Sequence, residues 1–594
     1  MNVLQNIIFP HMTFHAPEEM YVRLSNEKVY ASLNSKTLIF QNGGKVSFDT
    51  YFNSLSVQPW QKNCKIDDLK LYLQGECEFL IRIGIHRIGY ASYWLDEKVI
   101  ALKNDQMGHI EVSDWQKLDS GMLFFTVQAL GEGRLEKGFW ATETRPQQDV
   151  KLGIVVTHFN RKQWVLPAVS RIHDELLTDP IFKGKVELII VDNSQNITAE
   201  ELTGKTYGIT VIPNKNLGGS GGFTRGLLHL KDRQDFTHCL FMDDDASCEI
   251  DSIKRTYNIL SYGKTERLAV AGALLREIEP FRLFEKGATF DGRCHPLKSG
   301  MDMRHVHDLL FAELNDITPD YGGWWFFAFK INEVKEYAFP FFVRGDDSRF
   351  CMQNQFAILT MNGIACWAED FLFKHGPLPA YLDTRYHILY AILQNNQRLA
   401  LNLSKNLIIG QLFSYNYASA QACRIAVEHV MQGPDFFLKN MDMAEVRQQI
   451  GSLLPSEKLT AIDRASLNIK YRFKTKKEER WHRWLRKITL NGFRLPEFAL
   501  NRINRKNRTI FQHKSFQGNA REIFGYRKVI YEYEPTHTGY VAEMNKELFF
   551  REYGLMKKML KDLSDKFDTL HHQYAKAVPD MTSEQFWRGV YKED

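Results

Sequence analysis

The segment HCLFMDDDASCEID, His238–Asp251, sets three adjacent aspartates behind an apolar run. Carboxylates this close repel one another, so their accumulation calls for a compensating charge. In an extended chain the first and third members of a D-x-D project to the same side. Asp243 and Asp245 can then share one divalent cation, Mg2+ or Mn2+, which takes oxygen ligands and commonly bridges carboxylates to substrate phosphates. Such an ion would also stabilise charge on a departing diphosphate. A solvated acidic loop, or a cap for a helix starting near Asp251, accounts for the three residues alone equally well.

Three more stretches narrow the choice. NKNLGGSGGFTRGL, Asn214–Leu227, has four glycines around one serine. Glycines free the backbone to approach a ligand and leave N–H groups for an anion, and the following FTRGLLHL reads as a helix whose N-terminus favours one. G-x-G-x-x-G is absent and the loop follows a third strand, so a dinucleotide loop does not fit; a tight structural turn does. In YGGWWFFAF, Tyr321–Phe329, two adjacent tryptophans on an extended chain cannot both enter one core. One ring is expected to face a cavity, where it suits a sugar surface; burial of both is the alternative. In PFFVRGDDSRF, Pro340–Phe350, Asp346 and Asp347 form a pair able to supply a general base, or simply a helix cap.

These residues need elements to hold them. The chain has 594 residues, too many for one core. Hydrophobic residues are 44% and charged residues 25%, the balance of a globular protein. A net charge of +5 over this length does not point to nucleic acid. The eight cysteines form no CxxC pair and read as reduced thiols of a cytosolic protein. The opening segment lacks signal-peptide features, and no run reaches a membrane span's length. Residues 1–148 read as a β-sandwich of short alternating strands, ending in the linker TETRPQQD. Residues 149–400 alternate strands and helices, as in KLGIVVTHF, VELIIVDNS, GITVIPN and HCLFMDDD, which predicts a parallel α/β sheet with ligands at its carboxyl ends. Residues 401–594 show helical periodicity and no evident β-branched runs. The expected fold is therefore multidomain α+β.

The motifs HFNR (158–161), VDNS (191–194), NLGGSGGFTR (216–225), FMDDD (241–245), YGGWW (321–325) and GDD (345–347), in this order, resemble inverting glycosyltransferases of family 2 with a GT-A fold. They are similar in particular to the galactofuranosyltransferases that build mycobacterial cell-wall galactan. The resemblance implies a UDP-galactofuranose donor and a glycan acceptor, lipid-linked, in bacterial surface polysaccharide synthesis. It implies that Asp243 and Asp245 hold Mn2+ or Mg2+ and that Asp244 lies against the donor. Phe159, Arg161, Asp192 and Asn216 would line the uridine diphosphate site, with Gly218 and Gly219 supplying N–H groups. Trp324, Trp325 and Asp346 would shape the acceptor site, and Asp347 would be the base.

One position departs from that family. A histidine usually follows a tryptophan near the end of the domain and completes the metal site; here CWAEDFLFKHG puts Ala368 in its place. His375 is the candidate substitute, with water or a purely structural histidine as alternatives. The basic stretch 469–508 carries Trp481 and Trp484, which suits an anionic membrane surface or a solvated helix face packing its tryptophans inward. The expected setting is cytoplasmic, peripheral on the inner membrane, with homo-oligomers compatible and nucleic acid not. A related transferase with another donor, such as rhamnose, and an inactive glycan-binding protein are the competing functions.

Overall fold

A computed structural model describes the chain except residues 14–15, 104–105, 315, 370, 372, 454–456, 471–477, 504–507, 516, 534–535 and 593–594. The chain divides into two compact units. One comprises Met1–Tyr337, Asp347–Ala368 and Tyr591–Asp594; the other comprises Ala338–Asp346 and Glu369–Val590.

The N-terminal part of the first unit is β-rich, and its eleven strands join one hydrogen-bonded network. The spine is the 17-residue strand Lys70–His86. Its first half pairs with Gly133–Thr142 and Gly108–Glu111, its second half with Met122–Ala129 and Tyr93–Leu102. Phe79, Ile81, Ile83 and Ile85 alternate inward along it and are fully buried, the period-2 signature that the sequence carries.

The rest of this unit is built on a seven-stranded sheet. Its order is Ile209–Pro213, Val186–Asp192, Leu152–His158, His238–Asp243, Phe327–Lys330, Leu268–Ala271, Ala357–Leu359. The first four strands are mutually parallel, and Phe327–Lys330 is antiparallel to its neighbours. Their runs GIVV, LIIV and CLFM are buried throughout, as strands covered on both faces must be. Arg255, on the helix Ile250–Tyr262, has no exposed surface and donates to the carbonyls of Asn6, Phe52 and Gly363, tying the β-rich part to the α/β part. Burial, partly offset by Asp251, pulls its pKa down to about 10.

The second unit is mostly helical, as expected, with Pro377–Leu393, Gln397–Phe413, Tyr417–Val430 and the 36-residue Lys546–Met581 as its long helices. It also holds a five-stranded sheet, in the order Thr460–Ala461, Thr538–Glu543, Lys528–Tyr533, Thr509–His513, Ile469–Lys470. This sheet departs from the all-helical expectation for residues 401–594. KVIYEY and TGYVAE are short and lie among strongly helical segments, yet Val529, Ile530 and Tyr531 are buried strand residues. No described helix is long and apolar enough to cross a membrane.

Candidate active site

The chain runs outward from Leu152–His158 to Val186–Asp192 and Ile209–Pro213, then returns to lay His238–Asp243 on the other side of the first strand. Such a reversal opens a crevice at the strands' carboxyl ends, where open α/β sheets bind ligands. Register sets Thr157 opposite Asp243 and His158 opposite Asp192. HFNR, VDNS and the three aspartates therefore meet at one edge.

There the aspartates have a cation already. Arg161 Nη1 lies 3.2 Å from Asp244 Oδ1 and 2.6 Å from Asp245 Oδ2. Partial burial works against its charge, but Asp245, Asp244 and Asp243 together hold the guanidinium pKa above its ordinary value. Asp244 Oδ2 also accepts from the Phe159 N–H at 3.3 Å and sits 3.4 Å from His158 Nδ1. Burial opposes charge on His158 too, yet Asp244, Asn196 and Asp192 raise its pKa. His158 is a site-edge residue that its neighbours in HFNR did not single out, because a buried histidine behind an apolar strand looks like core. Phe159 is exposed beside it.

Asp192 is committed to its own loop. Oδ1 accepts from the Ser194 N–H and hydroxyl, and Oδ2 from the N–H groups of Asn196 and Ile197, at 2.8–3.0 Å. Burial raises a carboxyl pKa, but these donors hold this one below the usual range. A chain of amides continues the brace: Asn214 Nδ2 donates to Asn193 Oδ1, and Asn193 Nδ2 donates to the Gly218 carbonyl.

The glycine-rich stretch is a helix from its first glycine, Gly218–Asp232, rather than a loop before one. Asn216 Oδ1 accepts from the Gly218 N–H at 3.1 Å, and Gly218 has φ +66°. Further along, the glycines serve packing. A Cβ on Gly222 would stand 2.3 Å from Thr157 Cγ2, and one on Gly226 would stand 2.2 Å from Val155 Cγ1. The helix therefore lies directly on the strand Leu152–His158, with its N-terminus, at Gly218 and Gly219, near the sheet's carboxyl edge.

Both tryptophans of YGGWW are buried, each 5% exposed, where one was expected to face a cavity. The expectation assumed an extended chain; residues 324 and 325 lie in a turn, so successive side chains need not oppose each other. Trp324 packs edge-on against Phe223, Phe241 and Phe350. Its indole N–H is buried without a hydrogen-bond partner among the described residues. Trp325 Nε1 donates to the Gly272 carbonyl at 2.9 Å, and its ring folds back over Gly323, where a Cβ would stand 2.1 Å away.

Asp347 lies in the first turn of the helix Asp346–Asn354, and its Oδ1 accepts from the Ser348 N–H at 2.7 Å. Its negative charge acts on Glu285, a residue that carries no motif in the sequence. Glu285 is buried at the end of the strand Leu283–Glu285, and its Oε1 has no hydrogen-bond partner among the described residues. Burial, reinforced by the negative charge of Asp347, pushes its pKa up to about 8. Glu285 is therefore a neutral acid at pH 7 while it lies in the field of a second carboxyl. Nothing in LFEKG signals this, because the partner is distant in sequence.

Asp346 is buried and belongs to the second unit, at the end of a segment in which Phe342 (φ +73°) and Arg344 (φ +71°) both hold left-handed backbone. Strain of this kind persists where the surroundings fix it, and it clusters at functional sites. His375 also lies in that unit. Its Nε2 accepts from the Gln411 amide at 3.1 Å, and burial, with Lys514 and Arg344 nearby, drives its pKa down to about 3. Among the described residues, no three His, Cys, Asp or Glu side chains are grouped to hold a metal. Ala368 ends the strand Ala365–Ala368, whose antiparallel register, Ser247 with Trp367 and Cys248 with Cys366, runs on toward Ala246, next to Asp245.

Part of the basic stretch, 471–477 and 504–507, lies outside the described residues. The helix Arg480–Ile488 is described, and it buries none of its residues. Trp481 and Trp484 are 58% and 66% exposed and share a face with exposed Ile488. The tryptophans point outward rather than into a core.

A largely parallel sheet with an acidic cluster and a helix N-terminus at its switch point is an architecture that places ligands at the strands' carboxyl ends. Residues 153–289 match the model of glycosyl transferase family 2, and residues 4–143 match the galactofuranosyltransferase 2 N-terminal model. Galactofuranosyltransferase GlfT2 of Mycolicibacterium smegmatis is 23% identical over 438 residues, 68% of this chain and 67% of that protein. GlfT2 of Mycobacterium tuberculosis is likewise 23% identical over 438 residues, 67% of each. A crystal structure of GalNAc-T7 with UDP, GalNAc and Mn2+ overlaps 43% of this chain and 52% of that one at 10% identity, with a TM-score of 0.30. The chain is a galactofuranosyltransferase-like protein carrying a family 2 glycosyltransferase domain.

Proposed function

We propose that this protein is an inverting glycosyltransferase that moves galactofuranose from UDP-galactofuranose to a hydroxyl of a growing surface polysaccharide. The observation that carries the reading is the meeting of Arg161 with Asp244 and Asp245 at the switch point of the parallel sheet. The two matched models and the two relatives support the donor and the polymer.

A divalent cation fits the donor set. Asp243 closes its strand and Asp245 lies in the turn just beyond, not on an extended chain as the sequence suggests; both offer carboxylate oxygens, and Mg2+ and Mn2+ are commonly bound by one or two carboxylates completed by substrate phosphates. Bound there, the cation supplies Lewis-acid stabilisation of the diphosphate. Asp244 and Phe159 border the donor, and Asp192 and Asn216 act by fixing the loop and the helix start that present N–H groups of Gly218 and Gly219 to an anion. Arg161 adds positive charge to the same pocket. We assign Asp347 as the base. It takes the proton of an acceptor hydroxyl; that oxygen forms the new bond at the anomeric carbon as the bond to UDP breaks, inverting the centre. Glu285, neutral at pH 7, leaves Asp347 free of a second full negative charge. The two tryptophans shape the acceptor side, the buried rings by setting the backbone around it. We do not assign His375 to the metal, since its Nε2 lone pair already accepts from Gln411.

The chain is read in three parts, 1–148 as a sandwich folded about the strand Lys70–His86, 149–400 as the GT-A domain and 401–594 as the helical part. The outward tryptophans of Arg480–Ile488 support peripheral attachment to an anionic membrane, which suits a lipid-linked acceptor. The test is a panel of UDP-sugars with Mn2+ and purified protein. UDP release from UDP-galactofuranose alone supports the assignment. Release from a rhamnose donor instead, or from none, selects the other transferase or the inactive binding protein.

A further inference from the structure

The β-rich part carries an open sheet face that the transfer site does not use. Residues paired directly across a sheet project to the same face. Register places Arg82 opposite both Glu97 and Thr126, and Gly84 opposite both Trp94 and Phe124. These two rungs are adjacent on one side of the sheet, the side opposite buried Ile81, Ile83 and Ile85. Gly84 makes the second rung a trough. A Cβ there would stand 2.7 Å from Phe124 Cζ and 3.0 Å from Trp94 Cε3, so both rings lean over bare backbone. Their centroids are 5.5 Å apart at a 50° tilt, and the His86 ring stacks on Phe124 at 4.0 Å. Trp94 is nevertheless 48% exposed, a large ring held in place with half its surface in water.

We infer that this face is a saccharide-binding site, taking a neutral oligosaccharide across Trp94 and Arg82. An aromatic face suits the C–H surface of a sugar ring, and polar groups beside it must then satisfy hydroxyls. The adjoining rung supplies them as a matched pair: Arg82 Nε donates to Glu97, and the guanidinium carbon lies 5.9 Å from the Trp94 centroid. One hydroxyl can accept from the guanidinium while its neighbour donates to the carboxylate. The charge pattern selects the ligand class. Arg82 is balanced by Glu97, and Arg23 nearby is balanced by Asp49, which also lies 3.7 Å from His86. A face of internally neutralised pairs offers an anion no net attraction, and it is too polar for an apolar helix. A neutral polyhydroxylated chain meets both conditions.

The site is independent of the transfer chemistry; only the choice of probe rests on the galactofuranosyltransferase reading. Full-length protein would be titrated with a galactofuranose hexasaccharide and, separately, with a galactopyranose hexasaccharide, by calorimetry and by hydroxyl-radical footprinting. The expected result is saturable binding of at least one of them, protection of Trp94 from oxidation, and a loss of about tenfold or more in affinity for Trp94→Ala and for Arg82→Ala, the scale of a binding hot spot. Trp94→Phe should retain most of the affinity. Both truncations lie on partly exposed side chains, and an unchanged melting curve and unchanged UDP binding would show that the fold and the donor site survive. Absence of saturable binding by the wild-type protein, an unprotected Trp94 at saturation, or unchanged affinity in Trp94→Ala would overturn the inference. UDP-galactofuranose hydrolysis on the same preparations reads the transfer assignment separately, so either can fail without the other.

Discussion

Burial, with the negative charge of Asp347 added to it, keeps the Glu285 carboxyl protonated up to about pH 8. Its titration bears on both stability and catalysis. Its pKa near 4.5 in an unfolded chain rises to about 8 on folding. The stability it contributes is thus fully present below the unfolded value and is lost as pH rises toward the folded one. Glu285→Gln has the same shape and no titration. Compared with wild type, the variant should gain relative stability steadily between about pH 4.5 and about pH 8. Denaturant melts across that range check this. A pH-independent difference would mean that Glu285 does not titrate as described. Turnover should show the same group: an alkaline fall near pH 8 in wild type, absent in Glu285→Gln.

Ala368 gives a test of the metal assignment. If its strand carries it beside Ala246 and Asp245, as the register implies, Ala368→His adds an imidazole to the two carboxylates. Mn2+ affinity, measured by calorimetry in the presence of UDP, should rise by about tenfold, the scale on which a single ligand matters. An unchanged affinity would place that side chain away from the ion. Asp243→Ala should lower the affinity in the same assay.

The glycines of the helix Gly218–Asp232 separate packing from binding. Gly226→Ala forces a methyl against Val155, and overpacking of this kind costs about 1–3 kcal/mol. Chemical denaturation should show a loss in that range, with UDP affinity of the folded protein retained. A neutral substitution would mean that the helix stands off the strand.

The helix Arg480–Ile488 should bind anionic vesicles in a salt-sensitive way. Neutralising Arg483, Arg486 and Lys487 together should weaken binding, since each basic side chain near such a surface contributes about 1 kcal/mol. Trp484→Ala should weaken binding to the same vesicles through lost burial of the indole. Equal binding of wild type to neutral and anionic vesicles would remove the membrane assignment.

The parallel sheet was legible because its strands are short, apolar and separated by helical periodicity, and each of them ends in a polar residue at one edge. The three aspartates were legible for the same reason. What the sequence concealed was conformational or distant. The turn at Trp324 and Trp325 buries both rings, and no local pattern distinguishes it from a strand. Gly222 looked like part of a ligand loop because glycine permits close approach of any kind, and only the structure reveals that the approaching group is the strand. The influence of Asp347 on Glu285 exists only in the folded chain, and the sheet of the second unit was hidden by the helices around it.

The base assignment is the centre of the mechanism, and Asp347→Asn tests it most directly. The variant keeps the side chain's shape and removes its basicity. UDP-galactofuranose and Mn2+ binding, measured on the same sample, should be close to wild type, because those contacts are assigned to Asp243, Asp245 and their neighbours. Transfer to a galactofuranose acceptor should fall by about 100-fold or more, the usual scale of general-base catalysis. A near-normal transfer rate with intact donor binding would contradict the account and leave Asp347 as no more than a residue in the first turn of its helix.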